Sequence, residues 1–245
     1  MHPDISAIWV ASNARTGSMW TTNIVRDLLR REGIEPLGHT VGGEEAIVAY
    51  GVEHLTQNKP GVVVLKTHKP VPDMPRSVGI VTRRDIRDAT VSYMRFMRAP
   101  FDKALRFAER SLSRQPVDLF PGTRLVLDYT TINERPVDAV NEIAGFLGCS
   151  ADAEAIAANY TRSAVAARID AADDYVHAAA SKGKPIERGR LVMAGPNNYR
   201  AADPETGFQT GHVSDYREGD WQRILSPEQQ KQISALIDRA GHSMA

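Results

Sequence analysis

The stretch AIWVASNARTGSMWTTNIVRDLLRREG, residues 7–33, decides the fold class. Residues 7–11 are small or apolar and predict a short buried strand, and the small polar residues 12–18 predict a loop. Apolar residues then recur at helical spacing up to a terminating glycine, at Trp20, Ile24, Leu28 and Gly33. A strand, a loop and a helix in this order are typical of α/β folds.

Three further apolar runs predict strands of a parallel sheet that is covered on both faces: Val62–Leu65, Val78–Val81 and Leu125–Leu127. Helical patterns follow the last two runs, over Ala89–Met97 and over Val137–Leu147, and Gly148 closes the second helix. We therefore predict an α/β fold with a parallel sheet flanked by helices on both faces and joined by right-handed crossovers. Ligands of such sheets bind beyond the carboxyl ends of the strands.

Composition limits the partners and the compartment. Lys plus Arg and Asp plus Glu number 30 each, which does not favour nucleic acid or an anionic membrane as a partner. The single cysteine, Cys149, cannot form a disulfide within the chain. Residues 1–12 lack the pattern of a secretory signal, and no apolar run approaches the roughly 20 residues that span a bilayer. We predict a cytoplasmic protein with one domain over residues 1–245.

The region from Ala171 to Gly211 has little periodicity and is rich in Gly, Pro, Asn and charged residues. This composition predicts a long loop or a partly disordered lid, which would order over the site and read the acceptor. Beyond it, Ser226-Pro-Glu-Gln-Gln predicts the start of a final helix, with Ser as the N-cap and Pro in the first turn.

The loop Asn13-Ala-Arg-Thr-Gly-Ser-Met-Trp20 lies where the amides and the positive dipole of a helix can receive an anion. Arg15 and the hydroxyls of Thr16 and Ser18 would add charge-assisted contacts. The loop has one glycine and no P-loop lysine, so it does not match G-x-x-x-x-G-K-(S/T). Taken alone, an ordinary strand-to-helix turn explains this segment equally well.

Two later segments carry further candidates. In Leu65-Lys-Thr-His68 the lysine and the histidine are two residues apart, so on a strand Lys66 and His68 project to the same face and can act on one reacting centre. In Thr82-Arg-Arg-Asp-Ile-Arg-Asp-Ala-Thr-Val-Ser-Tyr93, Arg84 follows a strand and Ser92 lies about two turns into a helix, which could hold a second phosphate. A solvated strand end and a salt-bridged helix are the structural alternatives.

Together these segments resemble the sulfotransferases that use 3′-phosphoadenosine-5′-phosphosulfate (PAPS). Arg15-Thr-Gly-Ser-Met-Trp20 resembles the family's phosphosulfate loop, K-(S/T)-G-(T/S)-(T/N)-W, and Lys66-Thr-His68 is similar to its K-T-H strand. Arg84 and Ser92 have the spacing of its 3′-phosphate site. Asn133, four residues after Tyr129, is expected to begin a helix that ends in Gly145-Phe-Leu-Gly148. Gly219-Asp-Trp221 is similar to the family's G-D-W near the C-terminus.

The resemblance implies a P-loop NTPase-like sulfotransferase architecture and transfer of a sulfuryl group from PAPS to an acceptor hydroxyl, without a metal. It implies His68 as the general base and Lys66 and Arg15 as stabilisers of negative charge. The cofactor-binding residues that it implies are Arg15, Thr16, Gly17, Ser18, Met19, Trp20, Arg84, Ser92, Tyr129, Arg217 and Gly219. The acceptor would be a small-molecule or glycan hydroxyl, and the oligomeric state is left open.

The chain departs from the family at three places. Arg15 stands where the family has lysine, Thr130 stands where it has an acidic residue, and Ser214-Asp215-Tyr216 stands where it has the basic R-K-G, with Arg217 as a candidate replacement. Two other functions therefore stay open on the sequence: a P-loop-type nucleotide kinase or hydrolase, and a non-catalytic nucleotide-binding relative of the fold.

Overall fold

The computed structural model describes His2 and residues 4–38, 43–195, 198–213 and 216–241. In these residues a parallel sheet has the strand order β2-β1-β3-β4, and an antiparallel hairpin joins β5 to β6. The strands are β1 (Ala7–Ala11), β2 (Val63–Thr67), β3 (Ser77–Arg83), β4 (Arg124–Asp128), β5 (Leu191–Gly195) and β6 (Asn198–Ala201). The α/β class and the parallel sheet expected from the sequence are confirmed.

Helices connect the strands and cover the sheet. In chain order they are α1 (Ser18–Arg31), α2 (Gly43–Thr56), α3 (Ile86–Met97), α4 (Phe101–Leu112), α5 (Pro116–Leu119), α6 (Tyr129–Glu134), α7 (Pro136–Leu147), α8 (Ala153–Ala158), α9 (Arg162–Ser181), α10 (Trp221–Ile224) and α11 (Pro227–Arg239). None of the helices in the described ranges is long and apolar enough to cross a membrane.

Strand β1 is the centre of the core, and each of its five residues is fully buried. Ile8 packs into a cluster with α1 and α7, whereas the neighbouring Trp9 packs into a second cluster with Leu65 and Phe120. Side chains alternate between the two faces of a strand, so this division shows that both faces of the sheet are covered. The continuous apolar runs in the sequence reflect this two-sided burial.

Two helix ends follow the local chemistry of the sequence. Gly148 ends α7 in the left-handed conformation, with φ 65°, which costs glycine no steric strain. Ser226 caps α11 by accepting from the Gln229 amide, and the Gln229 side chain accepts from the Ser226 amide in return. Both ends were predicted from the sequence.

The expectation of a loop over residues 171–211 is wrong for much of that region. Helix α9 continues to Ser181, and the hairpin of β5 and β6 lies further along. The helix buries Val165, Ile169, Ala172 and Ala179. Three alanines in a row and a small buried stripe give good helix propensity but little contrast in hydrophobicity, so the periodicity was hidden.

The helix expected to begin at Asn133 is also displaced. Asn133 lies inside the short helix α6, and α7 begins at Pro136. Proline at the first helical position is favourable because its missing amide would have no partner within the helix. Helices α2 and α4 were not predicted.

Candidate active site

The carboxyl ends of β1, β2 and β3 meet at one edge of the sheet, where the three candidate segments come together. A cavity of about 880 Å³ opens there. Eleven of the thirteen predicted site residues line it: Arg15, Gly17, Ser18, Met19, Trp20, Lys66, His68, Arg84, Ser92, Tyr129 and Arg217. The other two, Thr16 and Gly219, lie outside its lining. Most of the residues predicted from the sequence therefore lie together around one cavity.

The loop after β1 presents the start of α1 to the cavity. Gly17 is the N-cap residue with φ 97°, and no side chain caps the helix. A Cβ at Gly17 would lie 2.9 Å from Cδ1 of Ile132, so both the conformation and the space require glycine. The first amides of α1 have no acceptor within the helix and can receive an anion. The Thr16 hydroxyl instead bonds the Asn13 carbonyl and the Thr82 hydroxyl, each at 2.7 Å.

Arg15 is held by α3 across the loop. Its Nε donates to Oγ of Ser92 at 3.1 Å, and its guanidinium lies 4.1 Å from the ring centre of Phe96. Burial, together with the nearby charge of Arg84, lowers the pKa of Arg15 to about 10. Arg15 therefore stays positively charged at neutral pH.

Lys66 and His68 form a pair, as their spacing predicted. Nζ of Lys66 lies 3.0 Å from Nε2 of His68, and Nδ1 of His68 lies 2.7 Å from the carbonyl oxygen of Ser12. A carbonyl can only accept, so we assign the proton to Nδ1 and the lone pair to Nε2, which accepts from the Lys66 ammonium. The imidazole thus has its basic nitrogen on the side of the lysine.

The electrostatics keep His68 neutral. Burial, reinforced by the charge of Lys66, lowers the pKa of His68 to about 4. Burial also lowers the pKa of Lys66. The ordinary histidine pKa near 6.5 that the sequence suggested is therefore replaced by a lower one, and the base form of His68 dominates across neutral pH.

Glu44 at the start of α2 binds the strand that carries Lys66 and His68, and it was not predicted from the sequence. Its Oε2 accepts from the His68 amide at 2.7 Å and from the Thr67 hydroxyl at 2.6 Å. Burial alone would raise the pKa of Glu44, but His68, Thr67 and Lys66 together lower it, so Glu44 is a carboxylate. No local pattern links residues so far apart in the chain, and only the packing of α2 reveals the contact.

Arg84 has partners within the protein. Its Nε donates to Oε1 of Glu218 at 2.8 Å, its Nη2 contacts the same oxygen, and its guanidinium lies 3.9 Å from the ring centre of Tyr129. The Gly219 amide donates to Asp88 at 3.0 Å, which turns it away from the cavity. Neither Asp88 nor Glu218 was predicted from the sequence as a residue of the site.

The rest of the cavity wall is largely apolar or aromatic. The residues concerned are Tyr93, Phe96, Met97, Ile132, Val165, Val192, Met193 and Phe208. His212 joins them and stacks on Phe96 with ring centres 4.9 Å apart. Burial, together with nearby Arg15 and Lys66, lowers the pKa of His212 to about 3, so this imidazole is neutral as well. Trp20 has both expected environments, since it is buried in the core and also lines the cavity.

Ser214 and Asp215, which stand at the expected basic positions, lie outside the described residues. Within the described ranges, no group of three or more His, Cys, Asp and Glu side chains could hold a metal ion.

Comparison with known proteins gives a match in fold. No protein-family model matches the chain, and no curated protein sequence matches it. Mouse sulfotransferase SULT7A1 complexed with PAP is similar with a TM-score of 0.60 and 15% identity, over 98% of this chain and 85% of the other. Retinol dehydratase in complex with androsterone and inactive cofactor PAP gives 0.58 and 14%, over 99% and 82%. Its complex with retinol and PAP gives 0.54 and 18%, over 99% and 82%. The chain has the fold of these proteins.

Proposed function

We propose that this chain, which has the sulfotransferase fold, transfers a sulfuryl group from PAPS to the hydroxyl of a small-molecule acceptor. The observation that carries the proposal is the pair of Lys66 and His68, which lies in the same cavity as Arg15 and the uncapped start of α1. This arrangement combines an anion site, two cations and a neutral base in one place.

The cavity offers a binding position for each part of PAPS. The first amides of α1, together with Ser18 and Arg15, suit the 5′-phosphosulfate, because the helix dipole and the guanidinium both favour an anion. Arg84, Ser92 and Arg217 suit the 3′-phosphate. Aromatic and thioether side chains suit the adenine, and the cavity lining contains Met19, Trp20 and Tyr129 as residues of this kind.

The residues of this chain divide the chemistry between them. Nε2 of His68 takes the proton of the acceptor hydroxyl as the acceptor oxygen bonds to sulfur and the bond from sulfur to the 5′-phosphate oxygen breaks. Lys66 and Arg15 stabilise the negative charge that grows on the leaving phosphate. Before the acceptor binds, the Lys66 ammonium donates to Nε2 of His68. The acceptor hydroxyl then replaces the ammonium at Nε2, and the ammonium donates to the phosphosulfate oxygens instead.

We infer that the acceptor presents apolar surface beside its hydroxyl. Phe96, Met193 and Phe208 provide apolar contact area in the cavity wall, which also contains the polar residues Asn133, Thr161 and Gln209. Androsterone and retinol, which are bound in the structures of retinol dehydratase, are molecules of this apolar kind.

The first test is binding. Thermal shift of the purified protein with 3′,5′-adenosine bisphosphate (PAP) is compared with ATP and magnesium, because a ligand raises the melting temperature only if it binds the folded state. We expect a shift with PAP and none with ATP and magnesium. The opposite result would favour a nucleotide kinase or hydrolase on the same architecture.

The second test is turnover. PAPS is incubated with a panel of phenols, sterols, long-chain alcohols and monosaccharides, and both PAP release and sulfated product are measured by mass spectrometry. We expect the two products in equal amounts with an apolar alcohol or phenol. Binding of PAP without transfer to any member of the panel would favour a non-catalytic relative of the fold.

The compartment and the domain organisation are also inferences. Cys149 is half-buried and unpaired by disulfide, and burial raises the pKa of its thiol, which keeps it protonated and unreactive. A reduced thiol of this kind suits a cytoplasmic location, and we infer a single domain over residues 1–245. No metal is needed in the mechanism proposed here, because cationic side chains perform the charge stabilisation.

A further inference from the structure

All three nitrogens of the Arg84 guanidinium donate hydrogen bonds in this structure. Its Nε and Nη2 both donate to Glu218, and its Nη1 donates to the Arg15 carbonyl at 3.3 Å. One face covers the ring of Tyr129. The side chain of Arg84 is only 5% exposed and that of Glu218 only 17%, so this is a buried ion pair that solvent screens little.

A phosphate that binds Arg84 through Nε and Nη2 needs the same edge that Glu218 occupies. Arginine recognises phosphate through two parallel donors, and here the two donors Nε and Nη2 point at a carboxylate oxygen. Two anions on one guanidinium in a buried site repel each other. Asp88 adds a second negative charge nearby. It is held next to the segment of Glu218 by the hydrogen bonds that it accepts from the Gly219 amide and from the Tyr216 hydroxyl.

We propose that Glu218 is a specificity-determining residue that occupies the position of the 3′-phosphate on Arg84 and must release Arg84 before a 3′-phosphorylated nucleotide binds. The inference rests on the proposed function, since it concerns the 3′-phosphate of the same donor. Glu218 thereby lowers the affinity for PAPS and PAP, and it does not affect a nucleotide that lacks the 3′-phosphate.

The surroundings of Glu218 make its release sensitive to pH. Burial, with Asp88 in support and Arg84 in opposition, raises the pKa of Glu218 to about 7. The charged and titratable groups that face it are Arg84 at the end of β3, Asp88 on α3, and Tyr216, Arg217 and Asp220 on its own segment.

The sign of the effect follows from these charges. A bound 3′-phosphate disfavours the carboxylate further, so Glu218 takes up a proton when the nucleotide binds above pH 7. The affinity for PAP should therefore fall as the pH rises from 7 to 9.

The experiment compares PAP with adenosine 5′-phosphate by isothermal titration calorimetry. The wild-type protein, Glu218→Gln and the control Glu134→Gln are titrated at pH 8. Glu134 lines the same cavity but is exposed, so its variant removes one negative charge without removing the contact to Arg84. We expect Glu218→Gln to increase PAP affinity by about tenfold or more and to change adenosine 5′-phosphate affinity less than about twofold, because the variant removes the like-charge contact between residue 218 and the 3′-phosphate. We expect Glu134→Gln to leave the ratio of the two affinities unchanged, because any effect of its charge acts on both nucleotides.

A measurement on the wild-type protein covers the case in which Glu218→Gln does not fold. Binding heats at pH 8 in buffers of different ionisation enthalpy give the number of protons taken up. We expect close to one proton for PAP and close to zero for adenosine 5′-phosphate. At this pH the phosphates of both nucleotides are already fully ionised, since their second pKa is about 6.

Two results would overturn the inference in distinguishable ways. If all three proteins bind PAP and Glu218→Gln leaves the ratio of the two affinities unchanged, Glu218 does not compete with the 3′-phosphate, and the proposed function stands. If no variant binds either nucleotide, the inference fails together with the proposed function.

Discussion

Replacement of His68 by asparagine separates a catalytic base from a structural histidine. In the asparagine side chain the amide nitrogen takes the place of Nδ1 and can still donate to the Ser12 carbonyl, whereas nothing reaches the position of Nε2. The variant therefore keeps the hydrogen bond that orients residue 68 and loses the proton acceptor. We expect PAP affinity within a few-fold of the wild type and a kcat lower by roughly 10²- to 10⁴-fold, the usual value of a positioned general base.

The rate should also report the unusual pKa of His68. Because burial and Lys66 lower it to about 4, only about one imidazole in a thousand is protonated at pH 7. With saturating PAPS, the rate of sulfuryl transfer should therefore be level from pH 5.5 to 8 and fall only towards pH 4. A histidine with an ordinary pKa would already have lost half its activity at about pH 6.5.

The assay follows PAP release from PAPS with the best acceptor of the panel, and circular dichroism confirms that each variant is folded. His54→Asn is the matched control: His54 is also buried and bonded to a main-chain carbonyl, that of Gly61, but it does not line the cavity. Its turnover should match the wild type. The mechanism would be refuted if His68→Asn kept undiminished turnover, and the electrostatic argument would be refuted by a half-maximal rate near pH 6.5 in the wild type.

Three further predictions concern binding and stability. Ser92→Ala should raise the KM for PAPS by roughly tenfold, because a hydrogen bond to a charged group contributes about 1.5–3 kcal/mol, and it should also lower kcat, because Ser92 accepts from Arg15. Equal PAP affinity in a titration of variant and wild type would count against the assignment. Gly17→Ala should lower the melting temperature more than Gly33→Ala, since both positions have positive φ but only Gly17 is crowded by Ile132; equal shifts would show that the crowding is relieved. His212 should contribute to acid sensitivity. The pKa of His212 is about 3 in the folded protein and about 6.5 in the unfolded chain. The contribution of His212 to the free energy of unfolding is therefore complete above pH 6.5 and is lost as the pH falls towards 3, by at most about 5 kcal/mol. In urea unfolding, His212→Gln should lose less stability between pH 7 and 4.5 than the wild type.

The mobile lid expected over residues 171–211 stays a prediction for the part that is not helical. Limited proteolysis should cut between Lys182 and Arg190, beyond the end of α9, before it cuts the sheet. If that segment resists protease as well as β1 does, the lid hypothesis fails.

Patterns that are local in the chain were readable from the sequence. The run of buried residues 7–11, the glycine loop and the amphipathic α1 follow from neighbouring residues alone, and so do the caps at Gly148 and Ser226. The pair of Lys66 and His68 was also predictable, because alternation along a strand puts side chains two residues apart on the same face. Helix α9 was missed because alanine forms helices well but contributes little to hydrophobic contrast.

The sequence by itself determined the fold class, and it predicted the edge of the sheet where the cavity opens and eleven of the residues that line that cavity. Only the tertiary structure revealed Glu44 behind His68 and Glu218 on Arg84, since these contacts join segments that are distant in the chain and no local spacing encodes them. The pKa values were decided in the same way. Burial removes water from the ionised form, and burial depends on every element that packs around the group, so His68 and Glu218 have pKa values that their sequence neighbours do not predict.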